Sequence, residues 1–286
     1  MSTSGTGALL PSPMIVNQGN TYIAGMRLTY VSTTSFSVGA GQVRDQSNTM
    51  DILMGTSLVQ SSGAGGTNSL SNSSAVTVSI SLQGAGGIDV GTVAANKLYS
   101  VFAIGDSRGF NAGSAVISLA VPTTGPSLPL GYDSWRYIGS VQINNSTNVT
   151  IFKQTGAQAL RTMWYDSGTL DGTHVGLAIP SSATAASQTL ATIGVLTTLI
   201  PQTALEVMVY AGLIANAAAD SLWLTPKGFT AAVTGFAAPA ASTMKSLLRC
   251  PCALNGGSPN IMEIDYATSS ATATVSFTLP GYVDQL

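Results

Sequence analysis

The chain has 286 residues, of which 8% are Asp, Glu, Lys or Arg, and its formal net charge is −2 at pH 7. A typical globular protein carries about 25% charged residues, so this sequence lacks the charge that usually keeps a surface in water. The ten Lys and Arg residues are scattered and form no basic patch, which argues against nucleic acid as a partner. Because 45% of the residues are apolar, we still expect a folded core.

Alternation of apolar and polar residues predicts β-strands along the first half of the chain. The predicted strands are residues 74–82, 114–120 and 137–142. Residues 94–97 are the best helical candidate, although they lead directly into residues 98–104, which read as a strand. Residues 60–73 have neither an apolar period nor charge, which predicts a long surface loop. Residues 1–12 lack a basic start and a long apolar run, so we expect no ordinary signal peptide.

The second half is expected to contain strands at residues 162–165 and 272–279. Polar residues and a glycine at positions 153–156 predict a break, and we place a domain boundary there, giving residues 1–155 and 156–286. Prolines recur in the second half at intervals suited to short strands joined by turns. The predicted fold class is all-β, with two β-sandwich, jelly-roll-like domains and little helix. Barrel closure cannot be separated from a sandwich by pattern alone.

The most apolar window, residues 193–215, is interrupted by Pro201 and Glu206, which argues against a membrane-spanning helix. Cys250 and Cys252 are two positions apart, a spacing of about 6 to 7 Å on a strand that is too long for a disulfide. No matching His or Cys residues complete a zinc site. We therefore expect both thiols to act as small apolar side chains, and we expect no cofactor or metal.

Three segments of the first half carry a resemblance to known proteins. They are VGAGQVRDQSNTMDI at residues 38–52, LYSVFAIGDSRG at residues 98–109 and PSLPLGYDSWRYIGSVQ at residues 126–142. The order of these segments and their residue patterns resemble those of virion structural proteins of tailed bacteriophages, of the type associated with tail fibres and baseplates. The distinctive part is the combination of Pro129-x-Gly131-Tyr132 with Arg136-x-Ile138-Gly139-Ser140. The second half is similar to these proteins only in its general sequence pattern, including its closing Pro280-Gly281-Tyr282.

The resemblance implies a structural component of the virion, in a tail fibre, tail tip or baseplate, that acts in assembly and host attachment after being made in the host cytoplasm. The implied partners are identical copies in a homotrimer, other virion proteins, and a glycan or protein of the host surface. The low charge independently favours assembly, because interface cores are depleted in charged residues. One alternative is a capsid decoration (cement) protein. Another is a carbohydrate-binding receptor module whose aromatic residues stack on sugar rings, with the candidates Trp135, Trp164, Tyr165 and Trp223.

Five residues are candidates for a subunit interface: Arg44, Asp45, Tyr132, Trp135 and Arg136. Arginine is enriched at interfaces and needs a partner when it is buried. Alternatively, each arginine is held inside the fold by a carboxylate or by carbonyls, and Tyr132 only packs beside a rigid Pro-Gly turn. The sequence leaves these alternatives open. Residues 61–74 and 144–148 are further candidates for outward contacts.

A catalytic hypothesis rests on Gly105-Asp106-Ser107 together with Asp171-x-x-His174. These segments nominally supply a nucleophile, a base and an orienting acid, and the Asp-x-x-His spacing is the one used by GDS-type serine esterases, but the two motifs are far too close together in the sequence. Those esterases are α/β proteins, whereas this sequence has almost no amphipathic helices, and no segment that could supply oxyanion donors is visible. We therefore predict that the protein is not an enzyme and that residues 106–109 form a hairpin turn.

A pair of carboxylates for glycan hydrolysis is a second catalytic possibility. The candidates are Glu206, Glu263 and Asp265. Glu263 and Asp265 alternate on one predicted strand face, where they could equally be solvated or pair with Lys245 or Arg249. The prediction remains that the protein is not an enzyme.

Overall fold

The structure is a computed structural model that describes residues 22–55, 57–58, 70–71, 75–157, 159–166, 177–179, 191–193, 196, 198–254 and 262–286. Every regular element in these residues is a β-strand, which confirms the predicted all-β class. No helix in the described part is long and apolar enough to cross a lipid bilayer.

The described strands vary in length from 2 to 12 residues. The first twelve are β1 (Ile23–Gly25), β2 (Leu28–Ser32), β3 (Ser35–Val38), β4 (Gly41–Arg44), β5 (Asp51–Met54), β6 (Ser57–Leu58), β7 (Leu70–Ser71), β8 (Val76–Ser79), β9 (Lys97–Gly105), β10 (Ser114–Ser118), β11 (Ser134–Ile143) and β12 (Phe152–Ala157). The remaining ten are β13 (Leu160–Tyr165), β14 (Leu177–Ala178), β15 (Ala191–Thr192), β16 (Ala204–Ile214), β17 (Ser221–Pro226), β18 (Thr234–Ala237), β19 (Thr243–Pro251), β20 (Ala253–Leu254), β21 (Met262–Thr268) and β22 (Thr274–Gln285).

The strands form antiparallel sheets of unequal size. A nine-stranded sheet has the order β19-β16-β22-β13-β12-β2-β3-β8, with β14 also pairing with β22. A five-stranded sheet has the order β15-β21-β17-β18, with β20 also pairing with β21. Two three-stranded sheets, β1-β4-β5 and β10-β9-β11, and the β6-β7 pair complete the described topology. Packed antiparallel sheets of this kind are sandwich-like.

Strand β9 and most of β11 are buried on both faces, unlike the strands with a clear polar face. Alternate residues of β9 enter different apolar clusters: Val101 belongs to the main core, and Phe102 belongs to a smaller cluster with Tyr137 of β11. The small sheet β10-β9-β11 therefore lies between two apolar layers. This explains the nearly continuous apolar run of residues 98–104.

Strands were predicted in the right places, and two local predictions were wrong. Residues 94–97 do not form a helix, because Asn96 has a left-handed φ of 55° and β9 begins at Lys97. Residues 153–156 are not a break, since they lie within β12. Of the predicted loop at residues 60–73, the structure describes Leu70 and Ser71, which form the short strand β7.

The nine-stranded sheet crosses the predicted domain boundary. Strand β12 pairs with β13 over six consecutive residues, from Phe152 opposite Tyr165 to Ala157 opposite Leu160. On its other side β12 pairs with β2 at Lys153 and Thr29. The main apolar cluster also takes residues from before and after residue 156. The division into two domains stays a prediction.

A buried polar cluster lies where the small sheet meets the large one. The Tyr137 hydroxyl on β11 donates to Asp284 Oδ2 on β22 at 2.7 Å and lies 2.8 Å from the Ser140 hydroxyl. Asp284 is the cross-strand neighbour of Arg161. Arg161 Nη1 donates to Met26 O at 2.8 Å and to Gln154 Oε1 at 3.0 Å, so polar contacts connect elements that are far apart in the sequence.

Candidate functional site

Four of the five predicted interface residues meet at one end of the small sheet: Asp45, Tyr132, Trp135 and Arg136. Asp45 lies in residues 45–50, and the other three lie in residues 125–136. Together with residues 106–113, we call these segments the loop platform. Backbone hydrogen bonds join its parts, since Gln46 N donates to Trp135 O at 2.8 Å and Asp133 N donates to Gly105 O at 3.0 Å. The fifth residue, Arg44, lies next to the platform at the end of β4.

Asp45 organises the turn between β4 and β5. Its side chain is buried, and Oδ1 accepts hydrogen bonds from Thr49 N at 2.7 Å and Met50 N at 2.9 Å. Burial on its own would raise the pKa of Asp45, but hydrogen bonds from Met50, Ser47 and Thr49 outweigh it, and the pKa lies below the usual 3.8. The carboxylate is therefore committed to its own turn, and the contribution of Asp45 to the surface is indirect.

Asp106 organises the turn between β9 and β10. Its carboxylate accepts from Arg108 Nε at 2.9 Å and from Asn111 Nδ2 at 2.9 Å. The hydrogen bond from the Arg108 side chain is the largest influence and, despite partial desolvation, the pKa of Asp106 is lowered to about 2. Gly109 N donates to Asp106 O at 3.0 Å, so the predicted turn is present.

Ser107 is hydrogen-bonded within the platform. Its backbone N donates to Asp133 Oδ1 at 2.8 Å, and its hydroxyl donates to Asp133 Oδ2. These bonds lower the pKa of Asp133. His174 and Asp171 lie outside the described residues, so the catalytic hypothesis is not tested and the absence of enzymatic activity stays a prediction.

Gly131 and Tyr132 fasten the β10–β11 connection onto the β9–β10 turn. Tyr132 N donates to Pro129 O at 3.1 Å, which forms the predicted turn, and Gly131 has a φ of 92°. Gly131 O accepts from Asn111 Nδ2 at 3.0 Å, and the Tyr132 hydroxyl donates to the carbonyl oxygen of Ala112. Desolvation raises the pKa of Tyr132. The two connections are thereby held together as one unit.

The aromatic residues proposed for sugar stacking differ in their exposure. Tyr165 is buried, with its hydroxyl donating to Leu199 O at 3.0 Å. Trp135 meets Phe102 edge-on at 5.4 Å, and a Cβ at Gly125 would lie 2.3 Å from its Cε2, so the Gly125 backbone packs on the indole. Trp164 and Trp223 are half-buried. Tyr165 and Trp135 therefore serve packing, and sugar binding stays a prediction.

The two candidate arginines are held differently. Arg44 Nε lies 2.9 Å from Asp51 Oδ1, so Arg44 is paired with a carboxylate of the neighbouring strand. Arg136 donates to the side-chain amide oxygen of Gln46 at 3.4 Å and forms no ion pair with any described carboxylate. Desolvation lowers the pKa of Arg136, and the negative charge of Asp45 partly opposes this. Arg136 thus retains donors for a further partner.

Two exposed apolar residues of the platform were missed by the sequence reasoning. Phe110 is 82% exposed and Leu130 is fully exposed. They lie on neighbouring connections, next to Asn111 and Gly131, whose hydrogen bond joins the two loops. The sequence pattern that could have identified them is an apolar residue next to a glycine inside a turn, as in Gly109-Phe110 and Leu130-Gly131.

The carboxylates considered for glycan hydrolysis contact cations. Glu206 Oε1 lies 2.9 Å from Arg249 Nε. Lys227 Nζ lies 3.2 Å from Asp265 and 3.6 Å from Glu263. Lys227 therefore contacts both Glu263 and Asp265, and Arg249 contacts Glu206.

No protein-family model matches the chain, and no curated protein gives a significant match to it. The resemblance of the first half to virion proteins stays a prediction. Among the residues described, no three His, Cys, Asp or Glu side chains are grouped so that they could hold a metal ion. Cys250 is buried and free, as expected of a small apolar side chain.

Proposed function

We propose that this protein is a structural subunit of a symmetric homo-oligomer, in a tail fibre, tail tip or baseplate of the kind whose proteins its first half resembles. One observation carries the proposal: the loop platform exposes 82% of Phe110 and all of Leu130, in a chain with 8% charged residues. Contiguous exposed apolar patches mark contact sites between proteins, and these two side chains lie on loops that a hydrogen bond joins. The loop platform is, on this account, the surface where subunits meet.

The internal hydrogen bonds of the loop platform support this role. Asp45, Asp106 and Asp133 each accept several hydrogen bonds from within it, so its loops are ordered before a partner arrives. A surface that is already ordered loses less conformational entropy on binding. Arg136 lies on the same loop platform with donors to spare and suits a carbonyl or carboxylate of the neighbouring subunit.

We propose an identical copy as the partner because oligomers with closed symmetry are common. Most soluble oligomers are closed homo-oligomers, in which every copy buries the same apolar patch. A trimer is the state implied by the resemblance. Contacts with other virion proteins and with the host surface would then use parts of the chain outside the loop platform, in keeping with assembly and host attachment.

The test replaces Phe110 and Leu130, the two exposed apolar residues of the loop platform. In a Phe110→Ser and Leu130→Ser double variant we expect the oligomer to dissociate, because the loop platform loses its two large exposed apolar side chains. Sedimentation velocity measures the change in mass. The matched control replaces Phe229 and Val233 by Ser, since these residues are 58% and 49% exposed in the second half and lie outside the loop platform. The control should keep the mass of the unaltered protein.

Two outcomes would contradict the proposal. An unaltered protein that sediments as a single chain would remove the homo-oligomer. A double variant that stays as fully assembled as the control would show that subunits meet elsewhere, and the loop platform would lose its assigned role.

A further inference from the structure

The outer edge of β19 is a second feature that the proposed function does not use. Strand β19 is the last strand of the nine-stranded sheet, and its only strand partner in the described topology is β16. The two strands pair over nine consecutive residues, from Glu206 opposite Pro251 to Ile214 opposite Thr243, without a bulge. Edge strands in natural proteins are commonly short or bulged, which limits pairing with other chains. This edge is long and regular.

The register identifies the backbone groups that face outward. Ala215 N donates to Ser242 O, and Cys252 N donates to Leu205 O, so even-numbered residues of β19 make the hydrogen bonds to β16. The amide groups of Lys245, Leu247 and Arg249 consequently point away from the sheet. In the part of the chain that the structure describes, no backbone group bonds to them.

Side chains at the same positions are exposed and give the edge a charge pattern. Lys245 and Arg249 flank Leu247, which is 46% exposed. Arg249 is neutralised by Glu206 on β16, with Nε 2.9 Å from Oε1. Lys245 forms no ion pair with any described carboxylate. The edge therefore offers unpaired backbone groups, one apolar side chain and one unneutralised positive charge.

This charge pattern selects the occupant. In antiparallel pairing with a second copy centred on Leu247, Lys245 of each chain would face Arg249 of the other, whose guanidinium is already paired with Glu206, so Lys245 would gain no carboxylate opposite it. A strand with a carboxylate opposite Lys245 would instead gain an ion pair in addition to the backbone hydrogen bonds.

We propose that the outer edge of β19 binds an extended segment of a different polypeptide, which adds a strand to the nine-stranded sheet and places a carboxylate against Lys245. Backbone pairing supplies the affinity in this mode, and the side chains supply the selectivity. The site is independent of the loop platform, so it can operate whether or not the platform joins subunits.

The probe is a capped peptide of alternating threonine and valine with one central glutamate, compared with the same peptide carrying a central lysine. We expect the glutamate peptide to bind about tenfold more tightly, because the lysine peptide replaces an attraction by a repulsion. The Lys245→Glu variant should reverse this order. The matched control is Lys153→Glu, which makes the same charge change at an exposed position on β12, inside the same sheet. The control should keep the original preference.

Hydrogen exchange on the unaltered protein tests the location without relying on a variant. Saturating glutamate peptide should slow exchange of the Lys245 and Leu247 amides, which face outward. The Ser246 and Leu248 amides, already bonded to β16, should change little. The proposal is overturned if neither peptide binds, if both bind equally, if Lys153→Glu changes the preference as much as Lys245→Glu, or if the protected amides lie elsewhere.

Discussion

Asp284 is an ionisable residue enclosed in the core, 3% exposed, between Tyr137 on β11 and Arg161 on β13. Desolvation raises the pKa of Asp284 from 3.8 to about 6, although the Tyr137 hydroxyl donates a hydrogen bond to it. Tyr282 lies on the same strand and adds a second buried phenol to this cluster. The folded protein therefore binds this proton more tightly than the unfolded chain does.

The raised pKa of Asp284 predicts a pH dependence of stability with a defined sign. Its contribution is fully present below about pH 4 and is lost as the pH rises through about 6. In the Asp284→Asn variant this loss is absent. The free energy of unfolding of the variant, relative to the unaltered protein, should rise by up to about 3 kcal/mol between pH 4 and pH 7.

Chemical denaturation at a series of pH values measures this difference. Gln285→Asn is the control, because Gln285 is the exposed residue next to Asp284 on β22 and carries no ionisable group. Its difference from the unaltered protein should stay constant with pH. A flat profile for Asp284→Asn would mean that the buried carboxyl titrates as it does in water.

Strand β12 illustrates, at the scale of elements, what sequence pattern could not predict. On the buried face of β12, the residue that follows Phe152 is Gln154, which is polar. Gln154 Oε1 accepts from Leu28 N at 2.8 Å and from Arg161 Nη1 at 3.0 Å. A buried polar residue breaks the apolar alternation that identifies a strand, so residues 153–156 resembled a break. The partners that satisfy Gln154 are more than a hundred residues away or on the next strand.

Replacement of Gln154 tests whether this polar contact stabilises the join between β2, β12 and β13. In Gln154→Leu, Leu28 N and Arg161 lose an acceptor inside the core. We expect a loss of about 2 to 3 kcal/mol in the free energy of unfolding. Thr155→Val, on the outward face of the same strand, should change it by less than about 0.5 kcal/mol. Equal effects in urea denaturation would argue against a specific role for the buried amide.

Elements with clear alternation were predictable, because one face meets the core and the other meets water. Strands β8, β10, β11 and β22 lie where the pattern indicated them. Pairing between β12 and β2, and the order of the large sheet, depend on long-range contacts that a single sequence does not reveal. The predicted interface residues were brought together because the turn signals around them mark the same end of the sheet. Phe110 and Leu130 were overlooked because isolated apolar residues in turns carry no period.

At the scale of the whole molecule, low charge is the property that links sequence to assembly. A chain with 10 basic and 12 acidic residues has few ionised groups with which to cover its surface. Several of these ionised groups pair with one another, as in Arg44–Asp51, Arg108–Asp106 and Arg249–Glu206. Association of identical copies would bury apolar surface that otherwise faces water, so the proposed subunit role rests on the composition as well as on the loop platform.

The mass of the unaltered protein in solution tests this account most directly. Sedimentation equilibrium over a wide range of micromolar concentrations should give a constant mass of three times the 29.0 kDa chain, since a closed symmetric oligomer stops growing once its apolar patches are buried. A mass of 29.0 kDa at every concentration would contradict the account.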